Sequence, residues 1–382
     1  MLEIQTIETF DALEALAPEW EALFARVSLR TPSKSPLWQL TWWRHFGARR
    51  SLACRHDMQV VALREPGGAL VAVAPMMRTC RPGLGPALVR EMQFFGADPY
   101  VTQLRGPVCE RERLPDVGRA LATYLRARGN HDFVQWRGLA PGACAMEQGV
   151  SHSALEDVDS ILVMRESWDA FHGALPKKTR KHLRKGRNDL SAAGIAMEFR
   201  VATAPEEVAE GLAAFYDLHG RRAALADVTQ HPNVFGGAAE RAFLDDYCAQ
   251  LARAGGLRLF QIRVGGRIVA ARVGFAFGDQ LYLYFSGYDP DYGPYSIMTT
   301  LMAEALQWAH ENGVALVNLS SGVDRSKTRF RPEMVPAEGF FSVGSNWRAR
   351  LAFAAMRKLR GGAAPAREDE PEENEAGELA GA

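Results

Sequence analysis

A β-hairpin built on a glycine pair occurs twice in this chain, and each copy leads into the same succession of elements. Val60–Arg64, Gly67-Gly68 and Ala69–Ala74 alternate apolar residues around a turn whose glycines supply positive φ. Leu259–Arg263, Gly265-Gly266 and Arg267–Arg272 repeat that pattern. Beyond the first hairpin come strands at Val89–Phe95 and Thr102–Val108, a helix at Leu114–Arg128 closed by Gly129-Asn130, and a strand at His131–Trp136. Beyond the second come a strand at Leu281–Gly287, a helix at Ser296–Glu311 closed by Asn312-Gly313, and an apolar strand at Val314–Leu319. Matching order over about 80 residues implies a structural duplication.

Antiparallel strands, a helix and a buried strand, taken twice, predict an α/β (α+β) protein. Each half is expected to be a mixed, mostly antiparallel sheet flanked by helices. The 382 residues then divide into an N-terminal domain over 1–160, a C-terminal domain over 161–350, and a C-terminal basic helix with an acidic tail over 351–382. The tail, Arg367-Glu368-Asp369-Glu370-Pro371-Glu372-Glu373, has no apolar residues to bury and is expected to be disordered. Ahead of the first hairpin, Leu2–Glu8 alternates like a strand. Phe10–Val27 repeats Leu13, Leu16, Trp20, Leu23 and Phe24 at helical spacing, and Ser35-Pro36 opens a helix through Trp38, Trp42, Trp43 and Phe46.

The formal net charge is zero, yet Lys177, Lys178, Arg180, Lys181, Arg184, Lys185 and Arg187 crowd between Pro176 and Leu190. Like charges one helical turn apart repel by a few tenths of a kcal/mol per pair, so an anion that neutralises them is favoured. Thr179, Leu183, Gly186 and Leu190 form a narrow inner stripe, with Gly186 allowing close approach. Lys177, Arg180, Lys181 and Arg184 fall together on one face and are the candidate phosphate ligands.

Three further segments carry polar chemistry. Phe215–Arg222 sets His219, a natural proton acceptor near neutral pH, and Arg222 close to a helix end. Gly287–Pro294, with Tyr288 and Asp289, leads from a strand into a helix N-terminus, whose free N–H groups suit a phosphate. Ser320–Phe330, containing Gly322 and Lys327, follows the buried strand, at the strand end where ligands of α/β sheets collect.

Other classes lose ground. Cys54, Cys80, Cys109, Cys144 and Cys248 are odd in number and form no C-x-x-C pair, so neither a disulfide framework nor a metal site is expected. The start of the chain lacks a signal-peptide pattern and no apolar run reaches membrane-spanning length, which predicts a cytoplasmic protein. A pI near 7.1 speaks against nucleic acid as a partner. G-x-S-x-G, Walker A and H-E-x-x-H motifs are absent from the sequence.

Together these residues resemble the CelD-type acyltransferases, the branch of the GNAT superfamily found with cellulose and exopolysaccharide biosynthesis proteins and related to the FemAB aminoacyl transferases. The likeness spans about residues 5–345. It rests on Ser35-Pro36-Leu37-Trp38 with Trp42-Trp43, on Val73-Ala74-Pro75-Met76, on Lys177–Lys185, on Phe215–Arg222, and on Gly287-Tyr288-Asp289. After the buried strand this chain has Asn318-Leu319-Ser320-Ser321-Gly322 with Lys327, without the Asp and Tyr of the family pattern. The resemblance implies two tandem GNAT-like domains that transfer an acyl group, such as acetyl, from acyl-CoA to an amine or hydroxyl of a glycan or cell-envelope precursor. It implies His219 and then Asp289 as proton acceptors, no metal, a small-molecule or lipid-linked glycan substrate, and peripheral association with a membrane polysaccharide-synthesis complex. Two alternatives follow: a FemAB-like transferase using aminoacyl-tRNA, or a non-catalytic accessory protein. In the latter, Trp347–Arg360, with Leu351, Phe353 and Leu359 among cations, would face anionic lipid.

Overall fold

The computed structural model describes residues 2–97, 101–139, 150–164, 167–225 and 232–359. Its first half runs β1 (Glu3–Ile7), α1 (Phe10–Phe24), α2 (Pro36–Trp42), β2 (Arg55–Met58), β3 (Val60–Arg64), β4 (Leu70–Ala74), β5 (Met76–Arg81), β6 (Val89–Phe94), β7 (Val108–Cys109), α3 (Leu114–Arg128) and β8 (Phe133–Leu139). The chain continues through β9 (Val150–Val163), α4 (Trp168–Ala174), α5 (Lys177–Ala192), β10 (Met197–Ala202), α6 (Pro205–Ala223) and α7 (Ala238–Arg253). It ends with β11 (Leu257–Val264), β12 (Arg267–Phe277), β13 (Gln280–Tyr288), α8 (Ile297–Glu311), β14 (Leu316–Ser321), α9 (Arg325–Thr328), β15 (Glu333–Val343) and α10 (Trp347–Leu359).

Each half contains the expected mixed and mostly antiparallel sheet, and the duplication is visible in the ladders. In the first half β5 and β6 pair antiparallel, and α3 returns the chain to β8, parallel to β6 over Glu91–Gln93 against Phe133–Gln135. In the second, β12 and β13 pair antiparallel, and α8 returns the chain to β14, parallel to β13 over Gln280–Tyr282 against Leu316–Asn318. The two parts join in one eleven-stranded sheet, ordered β10-β11-β12-β13-β14-β9-β15-β8-β6-β5-β2, with β1-β3-β4-β7 forming a second sheet. The sheet runs unbroken past residue 160, because β9 pairs with β14 on one side and β15 on the other.

Several local expectations change. The first hairpin stays whole but stands apart from the large sheet: β3 and β4 pair in the small sheet, while their flanking strands β2 and β5 pair in the large one. The strand breaks at Pro75, which has no N–H to give the ladder, while its carbonyl accepts from Phe95 N (2.7 Å). Thr102–Val108 makes a ladder only at its end, through β7. Ahead of it Gly106 passes so close to β8 that an added Cβ would lie 2.9 Å from the Arg137 carbonyl oxygen. The acidic tail lies outside the described residues, as does Cys144.

The sheet has two apolar faces in the second half. Leu259, Val273, Phe275, Tyr282 and Tyr284 point toward α6, α7 and the first-half helices, whereas Phe260, Ile262, Leu281 and Leu283 point toward α5 and α8. Period-2 alternation in the sequence produces this division directly. Trp38 of α2 ties the halves together, meeting Phe243, Tyr247, Phe275 and Tyr284 edge-on. Such pairs each add about 0.5–1.5 kcal/mol beyond burial.

Below neutral pH the first half is expected to weaken. His131 lies beside Arg90 and Asp132, with its Nδ1 enclosed and without a hydrogen-bond partner. Burial, reinforced by Arg90, lowers its pKa from 6.5 to about 4. The unfolded chain therefore binds the extra proton between those values, so stability is complete above pH 6.5 and falls as pH drops toward 4. The shift corresponds to roughly 3 kcal/mol. Urea melts at successive pH values should show the loss, and His131→Asn should flatten it; an unchanged slope would remove His131 as its source.

Candidate functional site

The parallel strands β13 and β14 pair over only three residues each and then part, although β13 runs on to Tyr288 and β14 to Ser321. A parallel pair that separates leaves unused backbone donors and acceptors along the opening. The sequence candidates of the second half gather around that split.

On the β13 side, α6 lies directly on the strand. A Cβ at Gly287 would sit 2.3 Å from the His219 nitrogen, so glycine alone permits this approach. The contact brings the His219 ring over β13, where its Nδ1 donates to the Ser286 carbonyl (3.0 Å). That bond assigns the hydrogen to Nδ1 and leaves Nε2 as an acceptor, enclosed and making no well-formed hydrogen bond, although the Pro232 carbonyl also lies close to the ring. Phe215, Phe235 and Phe285 surround the ring. Burial lowers the pKa of His219; Arg222 acts the same way, while the Ser286 and Pro232 carbonyls act against it. The imidazole is therefore neutral at physiological pH.

Arg222 comes from the next part of α6, and its Nη1 donates to Ser286 Oγ (3.3 Å). Arg272 of β12 donates to the same hydroxyl through Nη2 (3.3 Å) and to the Tyr284 carbonyl through Nη1 (3.4 Å). Burial lowers the pKa of Arg222, with Tyr288 and Asp324 opposing. Burial also lowers Arg272 to about 10, reinforced by Arg222 and opposed by Asp324. Asp324 comes from the β14 side, so charges from both lips of the split meet here. Its pKa is pushed up by burial, but Lys327 and the Ser326 donors outweigh this and lower it. Lys327 Nζ lies 3.3 Å from Asp324 and donates to the Ser321 carbonyl. Gly322, at φ +106, lets Lys327 fold back, with Nζ 3.2 Å from where a Cβ would stand.

Asp289 stands at the same end of β13 in a different state. It is 1% exposed, with Oδ1 accepting from Arg221 (2.6 Å) and Oδ2 from Arg267 (2.9 Å). Its Oδ1 also caps the Asp291 N–H (3.2 Å). Those bonds suit a clamp on the strand end, whereas His219 retains a bare acceptor.

The basic helix α5 lies on the opposite face of the sheet from α6, packed on α8 through the inner stripe of Thr179, Leu183, Gly186 and Leu190. A Cβ at Gly186 would lie 2.6 Å from Thr300 Oγ1, so the glycine sets the distance to the first turn of α8. Thr179 Oγ1 donates to the Arg329 carbonyl (3.1 Å), and Arg329 Nη1 donates to Thr299 (3.2 Å). Lys177, Lys181 and Arg184 are exposed and are not brought to His219; Arg180 is half-buried, with its Nε enclosed and unpartnered. Another flank of α5 faces α9. Burial lowers the pKa of His182, and Arg329, Lys178, Arg325 and Lys185 reinforce it. This concentration of positive charge adjoins the α8 N-terminus.

Sequence reasoning missed Arg272, Ser286 and Asp324, as well as the Lys178/His182/Lys185 flank. Arg272 sits in an apolar strand whose alternation marks it only as a break. Ser286 matters solely because two elements distant in sequence converge on it.

Residues 177–328 match the family model of the acetyltransferase (GNAT) domain. FemX aligns over 94% of this chain and 99% of its own, at 9% identity and a TM-score of 0.59. A C-terminal domain (DUF2156) named for lysylphosphatidylglycerol synthetase, from Agrobacterium fabrum, aligns over 92% of this chain and 98% of its own, at 14% identity and a TM-score of 0.51. A tandem GNAT protein from the clavulanic acid biosynthesis pathway covers 91% of this chain and 100% of its own, at 13% identity and a TM-score of 0.45. No curated protein matches the chain. The chain thus carries a match to the acetyltransferase (GNAT) domain over residues 177–328, on a fold that it shares with FemX.

Proposed function

We propose that the protein transfers an acyl group from an acyl-CoA thioester to an amine or hydroxyl of a glycan or cell-envelope precursor, at the split between β13 and β14. The observation that carries this reading is the split itself, with a neutral, unpartnered imidazole nitrogen beside it. An extended donor with amide groups can pair with strand edges in such an opening, as an added strand does. Its phosphates are assigned to the α8 N-terminus beside Lys178, Lys185 and Arg329, with Arg180 as a further ligand. Its thioester passes through the split toward the α6 face.

There the acceptor nitrogen or oxygen bonds to the acyl carbon. Its proton passes to His219 Nε2, the C–S bond breaks, and the sulfur leaves as thiolate. Strand N–H groups freed by the split can stabilise the developing oxyanion. Arg222 and Arg272, through Ser286, hold the β13 backbone whose carbonyl orients His219. Asp289 clamps the strand end with Tyr288, while Gly322 and Lys327 shape the opposite lip. Residues 161–350 would then supply the chemistry and residues 1–160 would brace β13 through Trp38.

A second reading, a FemAB-like transferase using aminoacyl-tRNA, draws on the exposed cations Lys177, Lys181 and Arg184. Phosphate contacts along RNA weaken steeply with salt. Titration calorimetry with CoA, acetyl-CoA and UDP-sugars separates the readings. Heat with acetyl-CoA and with CoA is expected; its absence with every CoA species, together with steeply salt-dependent tRNA binding, would replace the first reading by the second.

A further inference from the structure

Helix α10 is apolar on two faces. Ala349, Ala352, Phe353 and Met356 point inward, against a core that includes Val89 and Phe133. Phe353 is thus buried rather than presented outward. On the opposite face Trp347 is 76% exposed and Leu351 60% exposed, followed by Ala354 and Ala355. Arg348 Nη2 donates to the Ala87 carbonyl (2.8 Å), tying the helix to loop 82–88, where Leu84 and Leu88 are exposed. Gly83 N donates to the Leu52 carbonyl (2.9 Å), bringing in the loop that holds exposed Leu52. Five of the eight large apolar side chains most exposed among the described residues therefore share one rim. Water gives no reason for that clustering.

Charge narrows the occupant. Helix α10 and residues 48–54 and 82–88 contain no Asp or Glu, whereas Arg49, Arg50, Arg350, Arg357 and Lys358 are all exposed on them. Arg348 reaches the buried Asp132 (3.5 Å). An apolar crest carrying Trp, flanked by Arg and free of carboxylates, matches a surface with anionic headgroups above hydrocarbon. No helix among the described residues is long and apolar enough to cross a membrane, so the geometry is that of a helix lying in the interface. We propose that this rim docks the protein on an anionic lipid bilayer. The inference is independent of which group the β13–β14 split transfers.

Flotation of the full chain, including the acidic run beyond Arg367, with phosphatidylcholine vesicles and with vesicles also containing phosphatidylglycerol tests this. Partition onto the anionic vesicles, weakened by salt, is expected, with little on phosphatidylcholine alone. Each basic side chain near such a surface contributes about fivefold, so Arg350→Gln/Arg357→Gln should lower partition about twenty-five-fold. Trp347→Ser/Leu84→Ser should lower it at least about tenfold. All four side chains are exposed, so thermal unfolding should be unchanged. Absence of partition onto anionic vesicles would overturn the proposal, as would partition that both double variants leave intact. A concentration-dependent dimer lost in Trp347→Ser, without vesicle binding, would assign the rim to a second copy instead.

Discussion

Replacing Gly287 by alanine should destabilise the protein by about 3 kcal/mol or more, at the upper end of overpacking effects. The new Cβ would fall 2.3 Å from the His219 nitrogen, 2.5 Å from the Leu218 carbonyl carbon and 2.8 Å from the His219 Cα. All three are backbone atoms within α6, so no side-chain rotation relieves the overlap. The helix must lift from β13, opening the core built from Phe215, Phe235 and Tyr284. Gly287 does not adopt a positive φ, so the cost is one of space and not of backbone conformation. Gly118 in α3 provides the contrast, since a Cβ there would meet nothing within 4 Å. Gly118→Ala should stabilise by about 0.5–1 kcal/mol, because alanine loses less conformational freedom in a helix. Denaturant melts of both variants check the pair. If Gly287→Ala lost less than Gly118→Ala gained, the close approach of α6 to β13 would be wrong.

His219→Asn is expected to reduce kcat by about 10²–10⁴-fold, the range of a positioned general base. Asparagine can place an N–H where Nδ1 now donates to the Ser286 carbonyl, but it has nothing at the position of Nε2. The fold should therefore survive while the proton acceptor is lost. The wild-type kcat/KM profile should rise with pH through a limb below 6.5, because burial lowers the folded pKa of His219 from that value. That limb should vanish in the variant. If kcat stayed within about threefold of wild type and the limb persisted, His219 would serve only to position α6.

The amphipathic helices and the two glycine hairpins were legible from residue order, because side-chain periodicity and positive-φ turns act over a few residues. The inner stripe of α5 is an instance: Thr179, Leu183, Gly186 and Leu190 are the buried positions expected. Strands β9 and β15 were not legible. Each gains its place by pairing with a partner far along the chain, and β15 bridges the two parts by lying between β9 and β8.

The candidate site divides in the same way. Sequence alone established that His219, Arg222, Gly322 and Lys327 belong to polar segments at element ends, and that seven cations crowd one helix. Only the tertiary structure decided their states. It engages both oxygens of Asp289 with Arg221 and Arg267, leaves Nε2 of His219 without a partner, and turns Lys177, Lys181 and Arg184 to solvent. It also brings Arg272 and Asp324 to the split. The physical reason is range. Propensity and periodicity are set by neighbours within about one or two turns, whereas charge state and accessibility depend on burial and on partners far along the chain, as Arg221 is from Asp289, 68 residues away, and Arg329 from Thr179, 150 residues away.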